Sequence, residues 1–245
     1  MSKRDQMLAR IREALRRPPG SPASVPGLGA DVPKLGDVLP PILPSELVSK
    51  FEEELQKVAG CAYRAATSQG LEETLRRLLA ASGATSVAFS RNPLLAQLSL
   101  EEKVRALGKI VAVWPVESGR EATSEAAQQF REQAFSAGVG ITGVDFVLAE
   151  SGTLVLSSVT EGAQLASLAP PVHVALYRRS QLVGSLEELL ERLPVPRDLT
   201  EPLLGRSVVF ITGPSRTADI EQILIRGVHG PRELHAILVE ESCLA

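Results

Sequence analysis

Only two cysteines occur in 245 residues, Cys61 and Cys243, too few for a disulfide framework, a four-cysteine zinc site or a cysteine-ligated iron–sulfur cluster. That scarcity points to a reducing cytoplasm. Aromatic residues make up 4% of the chain and the net charge is −3, so there is neither a basic surface to neutralise phosphates nor a set of rings on which bases would stack. Nucleic acid is not an expected partner. No apolar run approaches the ~20 residues that span a bilayer, and the charged opening Met1-Ser2-Lys3-Arg4-Asp5 leads into no signal-peptide pattern. A soluble, cytoplasmic chain without a membrane span is the expectation. Also missing are the Gly-Lys-Ser/Thr ending of a phosphate-binding loop, a Gly-x-Ser-x-Gly nucleophile elbow and His-x-x-x-His metal spacing. No metal site is expected.

What the chain does have is a 44% hydrophobic content over a length suited to one α/β core. Met7, Leu8, Ile11, Ala14 and Leu15 recur at helical spacing among arginines, predicting an amphipathic helix within residues 1–17. Repeated Pro and Gly over 18–44 predict an extended linker. Residues 45–245 form the α/β domain. Helices are expected over 45–58, 71–81, 94–107, 124–135 and 186–193, and strands over 62–64, 86–89, 109–114 and 172–177, with 109–114 buried. Two strand-like runs, 144–149 and 154–159, are separated by Glu150-Ser151-Gly152-Thr153, which is too short for a helical crossover and predicts a hairpin. A strand over 208–212, a helix over 217–225 and a strand over 234–240 complete the pattern. The expected fold is therefore an open, mixed but mostly parallel sheet with helices on both faces.

Candidate functional groups gather at three turns. In Gly213-Pro214-Ser215-Arg216-Thr217, the hydroxyls of Ser215 and Thr217 suit a helix cap, while Arg216 suits a carboxylate or phosphate clamp beside the free N–H groups of the expected helix. In Gly227-Val228-His229-Gly230-Pro231, His229 sits on a glycine-rich turn where an imidazole can bond a carboxylate or move a proton. At the hairpin, Glu150 has the chemistry of a general base or nucleophile, Gly152 admits close backbone approach and Thr153 can orient a bound oxygen. Each turn also has a purely structural explanation, since capping and tight turns favour the same residue types. His173, on an apolar strand, is expected to be a core histidine.

Taken together, Gly140-Ile141-Thr142-Gly143-Val144-Asp145-Phe146, Ala149–Leu156, Pro170-Pro171-Val172-His173, Gly213–Glu221 and Gly227–Pro231 resemble the lactate-utilisation protein C family, also called LutC/YkgG, with its LUD domain. Ser151 stands where Thr is usual and keeps the hydroxyl. The resemblance implies a fold like the NagB/RpiA/CoA-transferase class and a part in oxidising L-lactate to pyruvate with cysteine-rich iron–sulfur partner proteins. Those clusters would lie on the partners and no cofactor in this chain. On that basis a small carboxylate such as lactate or pyruvate is expected on Arg216, with Glu150 or His229 handling a proton. Two other readings stay open: an independent enzyme of the same fold class acting on a sugar phosphate, CoA thioester or folate-like substrate, and a metabolite-sensing scaffold.

Overall fold

The computed structural model describes residues 40–115, 124–162, 164–193, 207–218 and 224–244, together with Arg4 and Met7. It divides into two units, Met1–Pro40 and Pro41–Ala245. The amphipathic helix expected within 1–17 and the linker up to residue 39 lie outside the described residues apart from Arg4 and Met7, as does the whole segment 194–202, whose sequence reads as a loop.

The second unit opens with α1, Leu47–Lys57, whose Val48, Phe51 and Leu55 repeat at helical spacing and are buried. Ala59, at φ 65°, ends the helix and turns the chain into β1, Cys61–Ala65. Thr67 then caps α2, Ser68–Ala81, by accepting from the Gly70 N–H at 3.1 Å. Such a cap is worth about 1 kcal/mol, whereas each buried leucine of α2 (Leu71, Leu75, Leu78 and Leu79) contributes about 1.5–3 kcal/mol. Packing therefore decides where α2 lies.

After β2, Ser86–Phe89, the single helix expected over 94–107 is two: α3, Pro93–Gln97, and α4, Leu100–Ala106. They are separated at Ser99, which adopts a left-handed φ of 51°. Next come β3, Ile110–Val113, and α5, Ser124–Ser136. Then follow β4, Val139–Thr142; β5, Phe146–Leu148; β6, Thr153–Ser157; and the one-turn helices α6, Ser158–Glu161, and α7, Leu165–Leu168. The chain continues through β7, Val172–Tyr177; β8, Leu182–Val183; α8, Leu186–Arg192; and β9, Val208–Ile211. It closes with β10, Arg216–Ala218; β11, Leu224–Arg226; and β12, Glu233–Val239.

Six strands form one parallel sheet in the order β1-β12-β7-β4-β2-β3. A second, mixed sheet, β8-β5-β6-β9, contains the expected hairpin: β5–β6 and β6–β9 are antiparallel and β5–β8 is parallel. On one face of the parallel sheet, α2, α3 and α4 pack leucines against Val87, Phe89, Ile141, Val174 and Ile237. On the other, Phe51 and Leu55 of α1 and Val147 and Leu154 of the second sheet meet Ala175, Tyr177 and Ala236. Phe130 of α5 and Ala166 of α7 cover Ala88 and Ala112. No helix among the described residues is long and apolar enough to cross a membrane.

One strand was not foreseen and two expectations are corrected. The run 139–142 is a central strand although it contains glycine, because α7 packs directly on it: a Cβ at Gly140 would lie 1.7 Å from the Ala166 carbonyl oxygen. The strand over 109–114 is an edge strand, and Ile110 is 70% exposed. Most consequential, the helix expected over 217–225 is replaced by a hairpin. Arg216 pairs with Arg226, Thr217 with Ile225 and Ala218 with Leu224, while residues 219–223 lie outside the described set. Gly213 and Gly227, at φ 80° and 78°, sit at its foot, where the Gly227 N–H donates to the Ser215 carbonyl at 3.0 Å.

Candidate functional site at the sheet switch point

In an open α/β sheet, ligands bind outside the carboxyl ends of the strands where neighbouring strands send their chains in opposite directions. Here that place lies between β2 and β4. The chain leaving β2 runs into α3 and α4 on one face, and the chain leaving β4 runs into the second sheet on the other.

Polar residues fill the corner. Ser90, Arg91 and Asn92 follow β2, and Gly143 follows β4. Between them sits Glu161, at the end of α6, with none of its surface exposed. The Ser90 hydroxyl donates to Glu161 Oε2, the Asn92 amide donates to Oε1, and the Arg91 N–H donates to the Glu161 carbonyl at 3.0 Å. One residue therefore grips three successive residues of the β2 loop. The Asn92 carbonyl oxygen meanwhile accepts from the Leu94 N–H at 2.9 Å and caps α3, where Pro93 takes the first helical position. Gly143 has no room for a side chain, because a Cβ there would stand 2.1 Å from the Asn92 Cγ.

Burial pushes the Glu161 carboxyl up to about 7, and the nearby Asp145 carboxylate adds to the rise against bonds from Ser90, Asn92 and the Gly143 backbone. Asp145 is itself fixed, accepting from the Ser157 N–H at 2.6 Å and the Thr160 hydroxyl at 2.9 Å. A carboxyl whose pKa burial raises to about 7 thus lies at the switch-point corner of the sheet. Deeper on the same strands, Thr142 Oγ1 lies 2.8 Å from Nε2 of His173. His173 is fully buried, and burial drops its pKa to about 3, so the ring is neutral under ordinary conditions. It is the expected core histidine, and its Nδ1 has no partner among the described residues.

The residues expected to form the site lie elsewhere. Glu150 Oε1 accepts from the Leu186 N–H at 2.7 Å, so its carboxylate caps the start of α8. Gly152, at φ 65°, packs on α1, where a Cβ would lie 2.4 Å from the Leu55 nitrogen. Thr153 is buried, its hydroxyl 2.7 Å from Thr212 and 2.8 Å from Ser151. Arg216 donates to the Val58 carbonyl at 2.6 Å. Because β10 replaces the expected helix, Arg216 has no helical N–H cradle beside it. Ser215 uses its backbone to bond Pro231 and Gly227, and Thr217 belongs to the hairpin ladder. His229 is exposed on the turn before β12.

The turns at 151–153 and 212–216 do meet, both resting on the C-terminal half of α1. Among the described residues, however, no hydrogen bond joins Glu150, Arg216 and His229. Ser90, Arg91, Asn92 and Glu161 were missed, although Ser-Arg-Asn-Pro directly after an expected strand was a legible signal. Nothing in Ser158-Val159-Thr160-Glu161 announced a buried carboxyl.

The parallel sheet with helices on its faces and a second sheet on one of them makes this an α/β protein, a class in which ligands, where bound, sit at strand ends. The family model of the LUD domain matches residues 48–239, and the chain belongs to this family. Lactate utilization protein C of Geobacillus kaustophilus is 34% identical over 196 residues, covering 76% of this chain and 77% of that protein. The protein of the same name from Halalkalibacterium halodurans is 31% identical, covering 80% of each. The uncharacterized protein YkgG of Escherichia coli is 32% identical, covering 69% of each. Among solved structures, a DUF162 family protein from Deinococcus radiodurans shares the fold with a TM-score of 0.55 and 21% identity, over 81% of this chain and 99% of that one.

Proposed function

We propose that this chain serves lactate utilisation as a non-redox subunit, binding a small carboxylate such as lactate or pyruvate while iron–sulfur partner proteins carry the electrons. Membership of the LUD family, with relatives named lactate utilization protein C across most of their length, carries this reading. The chain's two cysteines, one exposed and one buried, suit a division of labour in which clusters sit on other subunits. We place the carboxylate at the polar corner between β2 and β4 because it lies at the switch point, whereas one N–H of Arg216 donates to the Val58 carbonyl.

The test is genetic and biochemical together. A bacterium deleted for its lactate utilization protein C regains growth on L-lactate when it expresses this chain, and a tagged copy co-purifies with iron–sulfur proteins. Growth that stays absent while the chain is expressed and folded would overturn the reading.

A further inference from the structure

Seven arginines of the described unit have a hydrogen-bond, ion-pair or ring partner: Arg64 with Glu52, Arg77 over Tyr63, Arg105 with Glu101, Arg178 with Gln97, Arg179 with Glu240, Arg192 with Glu188, and Arg216 with Val58. Of those whose side chains have none among the described residues, Arg76, Arg131, Arg226 and Arg232 are exposed. Arg91 is the exception. It is half-buried, follows β2 directly, and stands at the switch point. A half-buried arginine whose side chain has no partner among the described residues, placed where α/β sheets bind ligands, has an obvious use.

The support beneath it is unusually complete. Glu161 holds the residue before Arg91 through the Ser90 hydroxyl, the residue after it through the Asn92 amide, and Arg91 itself through its N–H. Glu161 is in turn seated by Asp145 and Thr160, since Thr160 immediately precedes it and bonds the Asp145 carboxylate. The backbone of Arg91 is thus fixed from both sides before any ligand arrives. Fixing a clamp in advance lowers the ordering cost of binding.

We propose that Arg91 is the carboxylate-binding residue of this protein and that Glu161 is the positioning residue that aims it. The proposal rests on the small-carboxylate reading above and assigns its residues. A guanidinium takes a carboxylate through two parallel N–H···O bonds, which a lysine ammonium at the same place cannot reproduce. Glu161 also makes the site respond to pH. The charged group acting on it is the Asp145 carboxylate beyond β4; Ser90, Asn92 and the Gly143 backbone around it are neutral, and Arg91 meets it through the backbone. When Glu161 ionises, it places a negative charge behind the bound anion and weakens its hold.

The experiment is calorimetric titration of the full chain with L-lactate, pyruvate, acetate and inorganic phosphate at pH 6, 7 and 8, for the native chain and for Arg91→Ala, Arg91→Lys and Glu161→Gln, each checked for a native circular-dichroism spectrum. The expected result is carboxylate binding that weakens by roughly tenfold or more in Arg91→Ala and is only partly restored in Arg91→Lys. Native affinity falls as pH rises from 6 to 8, whereas Glu161→Gln, which cannot ionise, binds equally across that range. Binding of acetate but neither lactate nor pyruvate, with the same dependence on Arg91, would support this site while removing the lactate reading. Equal affinity in the native chain and Arg91→Ala overturns the proposal, as does a preference for phosphate over every carboxylate or no binding by the folded native chain. A pH profile unchanged in Glu161→Gln removes the role given to Glu161.

Discussion

At Glu161 and His173 the protein keeps two titratable side chains out of water, and the consequences for stability run in opposite directions. Burial raises the Glu161 carboxyl from its ordinary 4.5 to about 7, so the folded chain holds a proton that the unfolded chain releases between those values. Its contribution is fully present below pH 4.5 and is lost as pH rises to 7, a change of about 3 kcal/mol at 1.36 kcal/mol per unit. His173 falls from 6.5 to about 3, so its contribution is present above pH 6.5 and is lost as pH falls through the folded value. Glu161→Gln presents the same shape as the protonated acid. It should therefore be more stable than the native chain by up to ~3 kcal/mol at pH 8 and no more stable at pH 4.5, as measured by urea unfolding. Gly143→Ala tests the corner from its other side: the new methyl drives against the Asn92 amide. A loss of about 1–3 kcal/mol in the same assay is expected. Neither group was legible beforehand as part of a site. Burial of a carboxyl depends on three segments meeting, β2, β4 and α6, and no spacing within one of them records that meeting.

Among the elements, those defined by local periodicity were legible and those defined by tertiary contact were not. The leucines of α2 repeat every three or four residues, and its helix was expected within three residues of its observed ends. Residues 216–226 contain apolar positions that also suit a helix, yet the ladder between β10 and β11 and the glycines at the hairpin foot decide for strands. The strand β4 was overlooked for the complementary reason. Its glycine is disfavoured in strands but is required by the helix packed upon it. At α8 the element explains a residue that looked chemical. Ser185 accepts from the Glu188 N–H at 3.2 Å and Glu150 accepts from Leu186, a double cap of the kind that stabilises helix starts. Glu150→Ala should lower stability by about 1 kcal/mol while leaving carboxylate affinity intact; a large loss of affinity in a folded variant would return Glu150 to the binding site.

For the molecule as a whole, all four apolar clusters draw on residues of the unit Pro41–Ala245. A chain lacking residues 1–40 is accordingly expected to fold, with a melting temperature within a few degrees of the full chain by scanning calorimetry. The alternation of helices and strands sufficed to foresee an α/β fold, but not that the hairpin strands leave the parallel sheet for a second, mixed one, because partners such as β6 and β9 lie far apart in sequence. That separation carries a consequence for how the protein is made. Among the described residues the first strand, β1, pairs with β12, the last, and with no other; Tyr63 and His235, 172 positions apart, touch across that seam. On the ribosome, β1 emerges well before β12 and waits with an unpaired edge until β12 has been synthesised. Closing so distant a pair is slow and leaves apolar surface open meanwhile. The sheet is thus completed only once β12 has emerged, and a nascent chain stopped short of residue 233 carries an unmatched strand that a chaperone, or a second such chain, can find first.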